Sequence, residues 1–262
     1  NFMFKLQRQK GVREVKIVTS GMTDVGCVRA SNEDSLGLFH DLNLFVVADG
    51  MGGHAAGEVA STMAVDYIKA YFSSPPEGNG AASKNPKNNK EKLKKAIVYA
   101  NLQIFLTGSG NPALNGMVTT VVALFLTEEE SIIGFVGDSR LYLIREGSIE
   151  QLTQDHSMVN EYVQKGLLTP EAAEHHPQKH VLSRAMGTGV EVQVETLTQK
   201  AQIGDTYLLC SDGLSNKVSA TEMCQIVSKS KSLESASKQL IQKAIEAGGE
   251  DNITVLLVSY LE

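Results

Sequence analysis

Cysteine, basic excess and long apolar runs are what this 262-residue chain has least of. Its three cysteines, Cys27, Cys210 and Cys224, are odd in number and form no CxxC pair, so they read neither as a disulfide framework nor as a zinc site. Cys210, inside Leu208-Leu209-Cys210, reads as a core thiol. A reducing compartment, most simply the cytoplasm, fits that usage. Lys and Arg number 24 against 30 Asp and Glu, giving a net charge of −6. No basic field is therefore available for nucleic acid or an anionic membrane, and neither is expected as a partner. No apolar run is long enough to span a bilayer, and no leader with charged, apolar and small segments opens the chain. No internal repeat is visible.

What is present is acid at the mouths of apolar runs. Asp49 ends Phe45-Val46-Val47-Ala48-Asp49, Asp138 ends Ile133-Gly134-Phe135-Val136-Gly137-Asp138, and Asp212 ends Leu208-Leu209-Cys210-Ser211-Asp212. Asp251 instead precedes Ile253-Thr254-Val255-Leu256-Leu257-Val258. A carboxylate at the end of a buried strand is costly unless something positive neutralises it. One such Asp is usually a turn former or a helix cap. Four of them, with almost no Lys or Arg nearby in sequence, point to bound divalent cations.

With 42% hydrophobic residues the chain can bury one large core. Val15 to Thr19 alternates as a strand, and Leu42 to Ala48 is a more continuous apolar one that runs into a glycine turn. Amphipathic helices are expected over Glu58 to Phe72 and Glu91 to Thr107, joined by a flexible connection from Ser73 to Lys90. Strands are expected over Val118 to Leu126, Ser131 to Val136, Leu141 to Arg145, Val190 to Leu197 and Thr206 to Cys210. Helical stretches then cover Ala220 to Ala247, and Ile253 to Tyr260 closes the chain as a strand. Sheets packed face to face, with helix pairs outside them, would bury these segments economically. Residues 11–262 are read as one catalytic domain, and 1–10 as an N-terminal extension or a leftover of expression.

Eight short motifs follow one another along the chain. They are Arg29-Ala30-Ser31-Asn32-Glu33-Asp34, Asp49-Gly50-Met51-Gly52-Gly53-His54, Gly116-Met117-Val118-Thr119-Thr120 and Gly137-Asp138-Ser139-Arg140. Leu152-Thr153-Gln154-Asp155-His156, Leu182-Ser183-Arg184-Ala185-Met186-Gly187, Ser211-Asp212-Gly213-Leu214 and Asp251-Asn252-Ile253-Thr254 complete the set. In this order, from Arg29 to Thr254, they resemble the bacterial branch of the metal-dependent protein phosphatase family, protein phosphatase 2C. The resemblance implies an α+β fold, an α-β-β-α sandwich of two antiparallel sheets flanked by helix pairs. It also implies hydrolysis of phosphoserine and phosphothreonine in proteins.

Hard oxygen ligands, with no Cys or His at zinc spacing, favour magnesium or manganese. The resemblance implies two Mn2+ or Mg2+ ions bridged by Asp49. Asp212 and Asp251 would complete one site, and the Gly50 carbonyl and a water held by Glu33 the other. A third, weaker ion would be shared by Asp138 and Asp212. Two close metals lower the pKa of a shared water and align it for attack on phosphorus. Arg29 matches the arginine that grips phosphate oxygens, a task suited to its fork. Asp34 would orient metal-bound waters from behind. Ser157 to Gly187, with a helix start at Thr169-Pro170-Glu171, is expected to be a mobile flap affecting substrate choice. A eukaryote-like serine/threonine kinase and its phosphorylated substrates are the partners implied, and the protein is expected to be a monomer.

Other readings stand beside these. Arg29 could pair with Glu33 at helical spacing, and Asp138 could cap the Ser139-Arg140 turn. His54 is either the acid that protonates the leaving oxygen or a turn histidine, and relatives from eukaryotes carry a histidine where Met51 stands. Thr119, Thr120, Ser183 and Arg184 read as structural. His175, His176 and His180 resemble a metal cluster, but Pro177 breaks the helical spacing and a solvated loop is expected. Gly50-Met51-Gly52-Gly53-His54-Ala55 also fits GxGxxA, the mark of a dinucleotide-binding oxidoreductase, which would leave the other aspartates unexplained. A phosphopeptide-binding pseudophosphatase keeps the fold without the reaction.

Overall fold

Apolar runs whose alternate side chains face two different partners become the central strands of this protein. Val121–Leu126 shows the pattern: Val121 and Ala123 pack with one group of buried residues, Val122, Leu124 and Leu126 with another. Both faces of the strand are covered, so its sequence is apolar throughout rather than alternating. A computed structural model describes residues 4–6, 15–52, 56–74, 86–174 and 176–262.

In chain order the strands are β1 (Phe4–Leu6), β2 (Val15–Asp24), β3 (Asp34–Phe39), β4 (Leu44–Met51), β5 (Val118–Thr119) and β6 (Val121–Leu126). They continue with β7 (Glu130–Val136), β8 (Arg140–Arg145), β9 (Ser148–Gln151), β10 (Glu195–Lys200), β11 (Thr206–Cys210) and β12 (Ile253–Leu261). The helices are α1 (Ala56–Ser73), α2 (Pro86–Gly110), α3 (Met158–Gln164), α4 (Pro170–Glu174), α5 (Asp212–Ser215), α6 (Ala220–Lys229) and α7 (Leu233–Glu246). One sheet has the order β1-β2-β12-β11-β8-β9, the other β10-β7-β6-β4-β3 with β5 beside β4. Every recorded pairing between these strands is antiparallel.

Three apolar layers hold the elements. Phe45, Val47, Leu124, Leu143, Leu209 and Leu256 fill the space between the sheets. Ala60, Ile68, Leu93 and Ile97 of α1 and α2 cover the outer face of the β4 sheet, and Met223, Ala236 and Leu240 of α6 and α7 that of the β12 sheet. The result is the α-β-β-α sandwich with two antiparallel sheets expected from the sequence. Burying one such large side chain contributes about 1.5–3 kcal/mol relative to leaving it exposed. Helix starts are fixed by side chains: Ser157 accepts from Asn160 N, Thr169 from Ala172 N, and Ser219 shares a capping box with Glu222. No helix among the described residues is long and apolar enough to cross a membrane.

Several local expectations differ from the structure. The expected strand at Val190–Leu197 begins only at Glu195, opposite Phe135 near the end of its partner β7, and upstream Asn101 of α2 instead donates its amide to the carbonyls of Gly189 and Val190 (3.0 and 3.2 Å). The glycine turn expected after Ala48 is strand as far as Met51, with Gly50 and Met51 pairing Thr119 and Val118. Helix α2 starts at Pro86, inside the expected linker, while linker residues 75–85 lie outside the described part. Strand β3 was not expected; it pairs Asp34 directly with Asp49. An all-antiparallel pair of sheets has no βαβ unit, which removes the dinucleotide-binding reading.

Candidate metal centre

The antiparallel order brings the strand-end acids to one end of the sandwich. The chain leaves β4 near Asp49, β7 before Asp138 and β11 before Asp212, and it enters β3 at Asp34 and β12 just after Asp251. Asp49, Asp138, Asp212, Asp251, Glu33, Gly50 and Arg29 line a single cleft of about 710 Å³. Asp34 lies behind it, 7% exposed. Seven of the nine sequence-predicted site residues thus share one cleft, with Asp34 as their support; His54 lies outside the described residues.

Asp49 is held through its backbone, which leaves its carboxylate to face the cleft. Thr120 N donates to Asp49 O (2.8 Å), Thr119 Oγ1 donates to the same oxygen (2.9 Å), and Asp49 N donates to Thr120 Oγ1 (3.0 Å). Gly50 N donates to Glu33 O (3.1 Å), joining the acid's strand to the loop of Arg29 and Glu33. A Cβ on Gly50 would stand 2.0 Å from the carbonyl oxygen of Gly57 in α1, so only glycine permits this closeness of β4 and α1. Asn252 organises the same loop: its Oδ1 accepts from Glu33 N, and its Nδ2 donates to Val25 O and Ser31 O. Sequence reading gave Asn252 no role.

Arg29 Nη2 donates to Asp251 Oδ2 at 2.8 Å, with side chains 54% and 38% exposed. Its partner is therefore Asp251 rather than the expected alternative, Glu33. Asp34 Oδ2 accepts from Ser211 Oγ and Thr254 Oγ1, both at 2.7 Å. Asp34 Oδ1 is buried with no hydrogen-bond partner. Asp212 Oδ2 accepts from Asn216 Nδ2 (3.1 Å). Flap residues Lys179 and His180 also line the cleft, so His180, exposed as it is, is not merely loop. His176 instead turns its ring edge-on toward Tyr162, with 6.4 Å between ring centres, while His175 lies outside the described residues.

The acids strain against one another. Burial, with Asp34 and Asp212 nearby, pushes the Asp49 carboxyl well above the carboxylate range. Burial is also the first cause for Asp34 and for Asp138, each raised to about 7. Asp212 is raised by burial and by Asp251, and Glu33 by burial. Burial and then Arg184 lower His156, which sits by the flap. Lys217, another cation at the wall, is paired with Glu250. Among the described residues no three His, Cys, Asp or Glu side chains already close into a metal shell. The donor set is nevertheless all oxygen, crowded and short of positive charge, and Asp34 Oδ1 still lacks a donor. Those features fit hard divalent cations with water among their ligands.

The family described as Protein phosphatase 2C matches residues 28–250. The serine/threonine phosphatase stp of Listeria welshimeri is 43% identical over 239 residues, covering 90% of this chain and 93% of that one. The crystal structure of the Mycobacterium tuberculosis serine/threonine phosphatase PstP/Ppp superposes with a TM-score of 0.84 at 36% identity, covering 94% of this chain and 99% of that one. The catalytic domain of PstP, solved in complex with two manganese ions, gives a TM-score of 0.79 at 33% identity, covering 95% and 100%.

Proposed function

The chain belongs to the protein phosphatase 2C family, and on that premise we propose that its cleft binds manganese or magnesium and hydrolyses phosphoserine and phosphothreonine in proteins. The observation that carries the reading is the gathering of Asp49, Asp138, Asp212 and Asp251 around one cleft, with burial and the neighbouring acids pushing the first three carboxyls upward. Asp49, Asp212, Asp251 and the Gly50 carbonyl would hold two ions, Glu33 would act through water, and Asp138 would add a weaker third site with Asp212. When bound, such ions lower the pKa of water and offset phosphate charge.

The chain's own groups do the rest. Thr119 and Thr120 keep the Asp49 backbone fixed, so its carboxylate need not reorganise during turnover. Asp34, anchored at Oδ2 by Ser211 and Thr254, has a buried Oδ1 without a partner, which would accept from a metal-bound water. Arg29, held against Asp251 by one amine, keeps further donors for phosphate oxygens at an exposed mouth. Lys179 and His180 bring the flap to the same mouth, and residues 157–187 would meet the protein around the phosphorylated side chain. The protein acts as a monomer on phosphoproteins, among them a eukaryote-like serine/threonine kinase and its substrates.

Asp49→Asn tests the reading. Metal-dependent hydrolysis of p-nitrophenyl phosphate should be almost abolished, manganese binding by calorimetry should weaken, and circular dichroism should be unchanged. Retained turnover at saturating manganese would sink the proposal. Wild-type protein that binds phosphopeptides without cleaving either substrate would instead be a pseudophosphatase.

A further inference from the structure

His156 is a buried side chain that the proposed chemistry does not use, yet it meets the cleft wall, the flap base and strand β10 together. Its ring lies 5% exposed, stacked on Phe135 with ring centres 5.2 Å apart. Gly137 N donates to His156 Nδ1 (3.0 Å), and His156 N donates to Gly137 O (3.0 Å). The backbone donor makes Nδ1 the acceptor, which places the ring proton on Nε2, 3.1 Å from Glu195 Oε1. Arg184 Nη1 donates to that same oxygen at 2.7 Å.

The residue gripped by His156 directly precedes Asp138. Gly137 has φ +106, and a Cβ there would stand 2.6 Å from the Thr120 side chain, so it is held tightly on that side too. On the other side of Asp138, Ser139 Oγ bonds Thr120 Oγ1 (2.7 Å), the same hydroxyl that accepts from Asp49 N. Both neighbours of Asp138 are therefore fixed, one through Thr120 and one through His156. The flap is tied to the same point: Ser183 N donates to His156 O (2.8 Å), while Asp155 takes Arg140 in a forked ion pair. The two flap ends also pair through Ser157 and Leu182.

We propose that His156 is a positioning residue that couples the base of the flap to Asp138, so that flap docking and the placement of this carboxylate move together. The inference rests on Asp138 being a cation ligand. It assigns no chemistry to the imidazole itself. The ring acts through a lone pair offered to one backbone amide and a proton given to Glu195.

Two substitutions separate the ends of the ring. His156→Asn keeps an acceptor near the Nδ1 position, and His156→Gln keeps only reach toward Glu195. In the metal-free protein, amide exchange at Gly137 should quicken roughly ten-fold or more in His156→Gln and stay near wild type in His156→Asn. With manganese limiting, His156→Gln should lose roughly ten- to a hundred-fold in kcat/KM, and His156→Asn should rescue most of it. Two tightly bound ions should remain by calorimetry in both. In an Asp138→Ala background the His156→Gln loss should largely vanish, because the positioned group is gone. Losses that multiply independently, or equal losses in both variants, would overturn the proposal. If His156→Gln does not fold, His156→Asn decides: a fast Gly137 amide with activity intact rejects the coupling. Failure of Asp49→Asn to weaken metal binding would instead reject the metal reading, without touching the exchange result.

Discussion

An arginine held by a carboxylate at the mouth of the cleft would, on the proposed reading, serve two partners in turn. Arg29 Nη2 sits on Asp251 Oδ2 at 2.8 Å while more than half its side chain is exposed. The pair is exposed enough to be worth only about 0–1 kcal/mol, so a phosphate would compete with it easily. A phosphate dianion would take the remaining guanidinium donors in a fork. Arg29→Ala should therefore lower kcat/KM by roughly ten- to a hundred-fold, as expected when a hydrogen bond worth about 1.5–3 kcal/mol to a charged group is lost. Manganese affinity by calorimetry should change little, since Asp251 keeps its bond from Asn252 N. A collapse of metal affinity would mean that Arg29 instead orders Asp251. The residues legible in the sequence were those whose type is out of place locally: Asp49, Asp138, Asp212 and Asp251 are charges at the ends of apolar runs. Residues that work through backbone bonds were not legible. Thr120 reaches Asp49 across 71 positions, Asn252 reaches Glu33 across 219, and His156 reaches Gly137 across 19.

Among the elements, the join between β4 and α1 sets how far the acids can open. Gly50 and Gly57 face each other so closely that a Cβ on Gly50 would lie 2.0 Å from the Gly57 oxygen, and the obstacle is backbone. Gly50→Ala must push α1 away from β4, at a cost of about 1–3 kcal/mol typical of overpacking. Urea unfolding should show that loss as a lower midpoint at unchanged slope, with weaker manganese binding because the Gly50 carbonyl moves. A midpoint equal to wild type would mean that the two elements separate freely. The same join explains an error of sequence reading: a Gly-rich stretch after Ala48 suggested a turn, whereas glycine there serves strand β4 under a helix. Strand β3 escaped for a related reason, since Gly37 and the acids before it hide a strand that only its pairing with β4 reveals. Long apolar runs such as β7 and β12 are legible almost to the residue, because a strand covered on both faces leaves no ambiguity in its sequence, whereas the single strand expected over Val118 to Leu126 is split into β5 and β6.

For the whole molecule, one end of the sandwich is a store of unneutralised acid, so stability must depend on pH and on cation together. Unfolded, Asp34 and Asp138 titrate near their ordinary value of 3.8; folded without metal, burial raises each to about 7. Between those values the folded chain binds more protons than the unfolded one, so metal-free stability falls as pH rises. Above about 7 both carboxyls are ionised in the native state as well, and the penalty is complete. Cation binding acts in the opposite direction. It favours the ionised form, and at a thousand times Kd it adds about 4 kcal/mol to the folded state. Calorimetric melts in chelator should therefore give a lower Tm at pH 8 than at pH 6. Saturating manganese should raise Tm by clearly more at pH 8, where protons no longer compete for the same oxygens. Asp138→Asn should reduce the pH dependence of the chelated protein, because one raised acid is removed. A manganese-induced rise that is equal at both pH values would show that these acids do not hold the ions, and would return them to a purely structural role.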